Sequence, residues 1–371
     1  MKNKLLRFPK NTFCIALVVL TLCLANWIGG DSWIGSNVAE AKVEQMEAGL
    51  DEYPPGFDKA NPAIQAVIAI QKRHTDILMT EPGILGTAVG LGQGRTPLIL
   101  VFAKSFDSAK KASIPDKLEG APVIVKVTGE IRALKRPTNK GPKPKEEPVD
   151  ATARFVRPVP IGVSTGHPNI TAGTIGCRVT DGSNVYALSN NHVYADENQA
   201  SSYDYVLQPG VFDGGDVSLD YIGTLYDFEQ IDFSGGENTI DAAIALSTVN
   251  DLSNSTPSDG YGTPKTTTAM ADIGMPVMKY GRSTQQTKGR VYAINATVTV
   301  GYDSGVALFV NQIIITPGNF SAPGDSGSLI VGQKKNARKP VGLLFAGSDT
   351  ITVANPIDAV LDYFGVTIDG E

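Results

Sequence analysis

Cysteine is scarce in this chain of 371 residues, with only three. Cys14 and Cys23 fall in the first apolar run, which leaves Cys177 alone beyond residue 41. No internal disulfide is therefore expected there, and the fold must be held by its core. Cys177 sits in the strand-like run Gly173-Thr-Ile-Gly-Cys-Arg-Val179 with no basic neighbour to favour a thiolate. It reads as a buried structural thiol rather than a nucleophile. Histidine is equally rare, at three. Three scattered imidazoles and one thiol cannot assemble a ligand set, so no metal is expected, and the chemistry proposed below needs no cofactor. Charge is modest, at 19% of residues with a net −6, and no zinc-finger or RNA-binding motif is present. Nucleic acid is excluded as the main partner on that balance.

What the chain does have is apolar residues (42%), 39 glycines and 23 prolines. That mixture, with many short β-type runs, predicts a turn-rich, mainly β protein with a sizeable core. Residues 1–41 have the pattern of an export signal. Lys2, Lys4, Arg7 and Lys10 precede the apolar run Phe13 to Leu24, and Ala39-Glu40-Ala41 fits a small-x-small cleavage site. The expectation is an exported protein: secreted, periplasmic or held in the cell envelope. An uncleaved signal anchor is the alternative, and the only association with a membrane foreseen. Leu22 before Cys23 argues against a lipoprotein.

Residues 42–134 read as a small α/β N-terminal domain. Ala63, Ile64, Val67, Ile68, Ile70 and Ile77 share one face of a helix. Strands are expected at Ile84 to Gly92, Pro97 to Phe102 and Val123 to Val127, with a short helix near Ser108 to Ala112. His74 stands alone there and reads as a solvated surface residue. The proline- and lysine-rich stretch 135–156 is an exposed, cleavable linker. From 157 to 371, short apolar strands parted by Gly, Asn, Asp and Ser predict a sandwich or barrel, closed by a helix over Pro356 to Phe364. His167 precedes the first of these strands and reads as a turn or surface residue.

Chemistry concentrates in three runs. In Ala322-Pro-Gly-Asp-Ser-Gly-Ser328 the glycines allow a tight turn that projects the Ser326 hydroxyl, while the N–H groups of Gly324 and Ser326 converge as an oxyanion site. A serine hydroxyl attacks only if a base removes its proton, and His192, in Ala187-Leu-Ser-Asn-Asn-His-Val-Tyr-Ala195, is that candidate. Asp241 opens the apolar run Asp241-Ala-Ala-Ile-Ala-Leu246, where a carboxylate needs a partner to offset its desolvation. It would orient the imidazole.

These blocks, in the order His, Asp, Ser, resemble the signature blocks of trypsin-like peptidases of the disulfide-poor bacterial kind. The resemblance runs from Arg157 to the C-terminus, and a fourth block, Val277-Met-Lys-Tyr-Gly-Arg-Ser-Thr284 with Gly289-Arg-Val291, extends it. It implies a chymotrypsin-like double β-barrel and a serine endopeptidase acting on protein or peptide through an acyl-enzyme. It further implies a preformed oxyanion loop in which Asp325 pairs with Arg282, and a substrate pocket made by Phe320, Ser321, Ala346 and Gly347. Phe320 at the pocket floor argues against Arg/Lys preference, and Leu343 and Leu344 leave no histidine for glutamate preference. The asparagines Asn190 and Asn191 depart from the family's small residues and suggest extra hydrogen bonding near His192. By its position, the N-terminal domain would be an intramolecular propeptide or a docking domain that stays attached.

Two rivals remain. An α/β-hydrolase elbow requires Gly-x-Ser-x-Gly, but Ser328 holds the last position and the order of the three groups is wrong. The other is a catalytically silent trypsin-like domain serving as an extracellular binding module.

Overall fold

The computed structural model describes residues 56–134 and 149–371. The export-signal residues and most of the 135–156 linker lie outside the described residues. Within it the chain is mainly β and forms the expected double-barrel arrangement, read here from strand pairing. Six antiparallel strands close on themselves: Pro276–Gly281, Gln285–Gly301, Val306–Thr316, Thr352–Pro356, Pro340–Gly347 and Leu329–Gly332, the last pairing back to the first. Closure removes free edges, and the residues turned inward, such as Val277, Val291, Ile313, Ile315, Ile330 and Leu344, form one buried cluster.

The other barrel is a six-stranded sheet in the order Tyr205–Leu207, Tyr221–Phe228, Ala243–Ser247, Val185–Ser189, Cys177–Thr180 and Thr367–Ile368. It curls around Val179, Leu188, Val206, Leu225 and Ile244, and a bridge between Gly166 and Leu207 tightens its edge. Cys177 is fully buried, and burial pushes its thiol pKa far up. This matches an inert core thiol.

The strands of the N-terminal segment were expected as a domain of their own, yet their pairing runs on into the second barrel. Strand Ile84–Leu91 pairs antiparallel with Gln285–Gly301, and Pro97–Ala103 and Ala121–Val127 continue the same sheet outward. Gly86 makes that junction. A Cβ there would lie 2.2 Å from the Thr297 carbonyl oxygen, so only glycine lets the two backbones approach. Helix Pro62–Met79 covers this sheet. Asn61 caps it by accepting from the N–H groups of Ala63 and Ile64, and Pro62 starts its first turn. Ile64, Val67 and Leu78 join the second-barrel core. Buried Gln71 donates to Thr87 Oγ1 and to the Asn295 carbonyl and accepts from Asn295 Nδ2. Each polar atom of that amide thus has a partner on the sheet it covers.

The predicted strands and helices match closely, with Gln285–Gly301 several residues longer than its apolar run suggests. His167 differs from expectation. It makes the turn, but it is only 3% exposed, because its N–H donates to the Val193 carbonyl and its ring pairs with Asp204 at 3.1 Å. His74 lies beside Glu119, Nε2 to Oε1 2.9 Å, with Arg73 on the same carboxylate.

Replacing Gly86 by valine should cost about 3 kcal/mol of stability through overpacking at the strand junction. Denaturant unfolding of both proteins measures it, and an unchanged midpoint would contradict the role given to this glycine.

Candidate active site

The Ser326 loop packs beside the strand that leads to His192: the Thr174 N–H donates to the Ser326 carbonyl at 2.8 Å, and Ser189 Oγ, three residues before His192, donates to the Thr174 carbonyl at 2.8 Å. His192 lies in the single helical turn Asn191–Tyr194, directly after the strand Val185–Ser189. Asp241 immediately precedes the strand Ala243–Ser247, which pairs with that same strand, Ala243 opposite Ser189. The pairing brings the two side chains together. His192 Nδ1 lies 2.6 Å from Asp241 Oδ2, and the His192 backbone N–H reaches Oδ1 at 3.3 Å. Both side chains are fully buried. A buried carboxylate holding Nδ1–H leaves Nε2 as the free lone pair of the imidazole. Among the described residues Nε2 has no hydrogen-bond partner.

The backbone of Asp241 is fixed from two sides. Asn190 Nδ2 donates to its carbonyl at 2.7 Å, and its N–H donates to Asn355 Oδ1 at 3.1 Å. Asn355 in turn donates to Gln312 Oε1 at 2.8 Å. Asn191 Nδ2 bonds Asn198 Oδ1 and the Glu229 carbonyl. The two asparagines thus work as hydrogen-bond clamps, as their sequence context suggests.

Sequence reasoning missed Tyr302. It lies in the turn between Gln285–Gly301 and Val306–Thr316, and its hydroxyl donates to Asp241 Oδ2 at 2.8 Å. Its ring meets that of His192 edge-on, with centroids 5.9 Å apart. Burial, then the charge of Asp241, pushes the phenol pKa well up, so it stays protonated and serves as a donor. Nothing in Tyr302-Asp-Ser-Gly305 marks this role locally; only barrel closure carries the turn to the site.

Ser326 follows Gly324, which has φ +96°. A side chain at 324 would be strained and would press on Ser283 Oγ at 2.5 Å. Asp325 fixes the loop. Its carboxylate accepts from the N–H groups of Ser283 (2.8 Å), Thr284 (3.1 Å) and Ala322 (3.0 Å) and from Thr284 Oγ1 (2.6 Å). The expected cation for it, Arg282, is not its partner. Lys279 Nζ stands 3.2 Å from Asp325 Oδ2, and both side chains are fully buried. Lys279 occupies an inward position of Pro276–Gly281, and burial pulls its pKa down against the raising effect of Asp325. Arg282, one residue past that strand, points instead to Asp213, Nε to Oδ2 2.9 Å. Its stem packs beside Gly324, so it supports the loop by contact. A lone lysine in an apolar strand is the sequence signal that could have identified the partner.

Ser326 Oγ donates to the Phe345 carbonyl at 3.1 Å. The Gly324 N–H is also engaged, at 2.6 Å, by the carbonyl oxygen of Leu134. Of the predicted pocket residues, Phe320 lies in one buried cluster with Leu134, which was not among them. Ser321 and Gly347 line a cleft of ≈ 890 Å³ that also includes Leu134, Tyr302 and Pro323. Ala346 is buried beneath it in Pro340–Gly347. The described residues contain no group of His, Cys, Asp and Glu able to hold a metal. None of their helices is long and apolar enough to cross a membrane.

Against known proteins, the family model of the Nal1 C-terminal domain matches residues 265–353, a stretch that includes Lys279, Tyr302 and Ser326. No curated protein matches. Similar solved structures include a glutamic-acid-specific serine protease at 22% identity, covering 57% of this chain and 100% of that one with a TM-score of 0.42. Thermobifida fusca protease A has 20% identity, the same coverage and the same TM-score. A Nocardiopsis protease has 17% identity, covering 57% of this chain and 99% of its own with a TM-score of 0.40. The double barrel stands on the strand pairing given above.

Lys279→Met would leave the Asp325 carboxylate buried without its cation. It should cost about 3–5 kcal/mol, measured by chemical denaturation. In an Asp325→Asn background the same substitution should cost less, because no buried carboxylate is left unpaired; an equal cost in both backgrounds would sink the assignment of Lys279.

Proposed function

We propose that this chain is a serine endopeptidase. What supports the reading is the buried His192–Asp241 pair, whose Nε2 has no partner among the described residues, together with Ser326 on a glycine-rich loop whose Gly324 N–H donates to a peptide carbonyl oxygen. The reading requires the Ser326 hydroxyl to leave the Phe345 carbonyl and donate to His192 Nε2. His192 then takes the proton as Oγ attacks a peptide carbonyl. Asp241 keeps the tautomer and stabilises the imidazolium, and the N–H groups of Gly324 and Ser326 hold the developing oxyanion. His192 returns the proton to the leaving amine. The acyl-enzyme is then hydrolysed by water that His192 activates in the same way.

Tyr302 is a positioning residue in this scheme: its hydroxyl occupies one lone pair of Asp241 Oδ2 and fixes the carboxylate's orientation. The substrates are proteins or peptides, bound along Pro340–Gly347 with an apolar side chain above Phe320. With the basic and apolar run at its start, the chain works after export, in the envelope or outside the cell.

Hydrolysis of a peptide anilide with leucine before the scissile bond tests the reading. Ser326→Ala and His192→Ala should each lower kcat by about 10⁴ or more while the fold melts normally. Turnover unchanged in both would point to a binding module or a contaminant. Tyr302→Phe should lower kcat about tenfold with KM nearly constant, the worth of one hydrogen bond to a charged group. A change confined to KM would remove Tyr302 from the catalytic geometry.

A further inference from the structure

One wall of the cleft that Ser321 and Gly347 line is made by the N-terminal segment of this chain. Residues 131–134 leave the N-terminal sheet through Gly129 and lie as a short strand against the end of Pro340–Gly347. The pairing is antiparallel, with Ala133 opposite Ala346 and Arg132 opposite Gly347. On the other side the Gly301 N–H donates to the Ile131 carbonyl at 3.0 Å. At the end of the strand the Leu134 N–H donates to the Phe345 carbonyl at 3.2 Å, the same oxygen that Ser326 Oγ bonds. The Leu134 carbonyl oxygen accepts from the Gly324 N–H at 2.6 Å. Its side chain is 8% exposed, in one apolar cluster with Phe320 and Leu344. One of its methyl carbons lies 3.5 Å from where a Cβ on Gly347 would stand.

Each contact is what a substrate needs for attack by Ser326: a strand added to the cleft edge, a side chain in the apolar pocket, and a carbonyl oxygen at the oxyanion donor. We infer that the chain is its own first substrate, cut by Ser326 on the carboxyl side of Leu134, and that strand 131–134 then blocks the cleft as a bound product. This rests on the endopeptidase reading above. In the step, Ser326 Oγ bonds to the Leu134 carbonyl carbon and its proton passes to His192 Nε2. The C–N bond to Lys135 breaks as His192 gives that proton to the leaving nitrogen. Water hydrolyses the ester, which restores Ser326 and leaves a Leu134 carboxylate. Because the strand remains tied to the barrel through strand Ile84–Leu91, its effective concentration at the cleft stays high after the cut. The pocket that holds Leu134 also predicts a preference for leucine or a similar apolar residue in other substrates.

The full chain is expressed as wild type, Ser326→Ala, Leu134→Asp and Leu134→Met, and intact masses are read over time, with a thermal melt on each to establish folding. A fragment beginning at Lys135 is expected in wild type and Leu134→Met and absent from Ser326→Ala and Leu134→Asp. Its rate should not change on tenfold dilution. Hydrolysis of an added leucine anilide by Leu134→Asp should exceed that of wild type by about tenfold or more as the blocked cleft opens. Ser326-dependent hydrolysis of that anilide in a wild-type chain never cut after Leu134 would overturn the inference and leave the endopeptidase reading intact. No Ser326-dependent hydrolysis of any peptide by folded Leu134→Asp would remove both.

Discussion

The carboxylate of Asp325 is the interaction on which the rest of the site depends. Fully buried, it collects three backbone N–H groups, the Thr284 hydroxyl and the Lys279 ammonium. An acid so enclosed would be costly without all of those partners. With them, it binds the loop 322–326 to the hairpin that joins Pro276–Gly281 to Gln285–Gly301. The positive φ of Gly324, the direction of its N–H and the place of Ser326 follow from that anchorage. The barrel itself thus holds the loop in the shape that the proposed oxyanion donor requires.

The same anchoring explains why an N-terminal segment can reach the cleft in one register. Gly86 lets Ile84–Leu91 join the second barrel, and the sheet then directs the chain back toward Pro340–Gly347. A segment held only by a flexible linker would spread over many positions. One held by a shared sheet arrives with Leu134 at Gly324. The N-terminal residues are therefore bound to the barrel in two ways, as added strands and as one wall of its cleft.

Much of this was legible in the sequence, because both the strand runs and the His192, Asp241 and Ser326 blocks are local patterns. Alternation and turn residues mark Val185–Ser189 and Val306–Thr316 without reference to the rest of the chain. What stayed hidden is long-range. The pairing of Ile84–Leu91 with Gln285–Gly301 joins residues about 200 positions apart, and no local pattern encodes a partner. Lys279 and Arg282 differ by three residues, so either could be supposed to reach Asp325. The deciding fact is that Lys279 lies inside Pro276–Gly281 and faces inward, whereas Arg282 falls beyond its end. Tyr302 and Leu134 come to the site only through barrel closure and the turn at Gly129. In the sequence His167 reads as a turn or surface residue, since it stands before the first strand run of 157–371. A turn can be buried, and this one is.

The central claim is that Ser326 is a nucleophile activated by His192. Its most direct test is to treat the purified wild-type and Leu134→Asp chains with a fluorophosphonate and map the modified residue by mass spectrometry. The account predicts a single adduct on Ser326 in both, slower in wild type, and lost from either when His192 is replaced by alanine. Folded Leu134→Asp protein that takes up no label, or labels equally without His192, would contradict it.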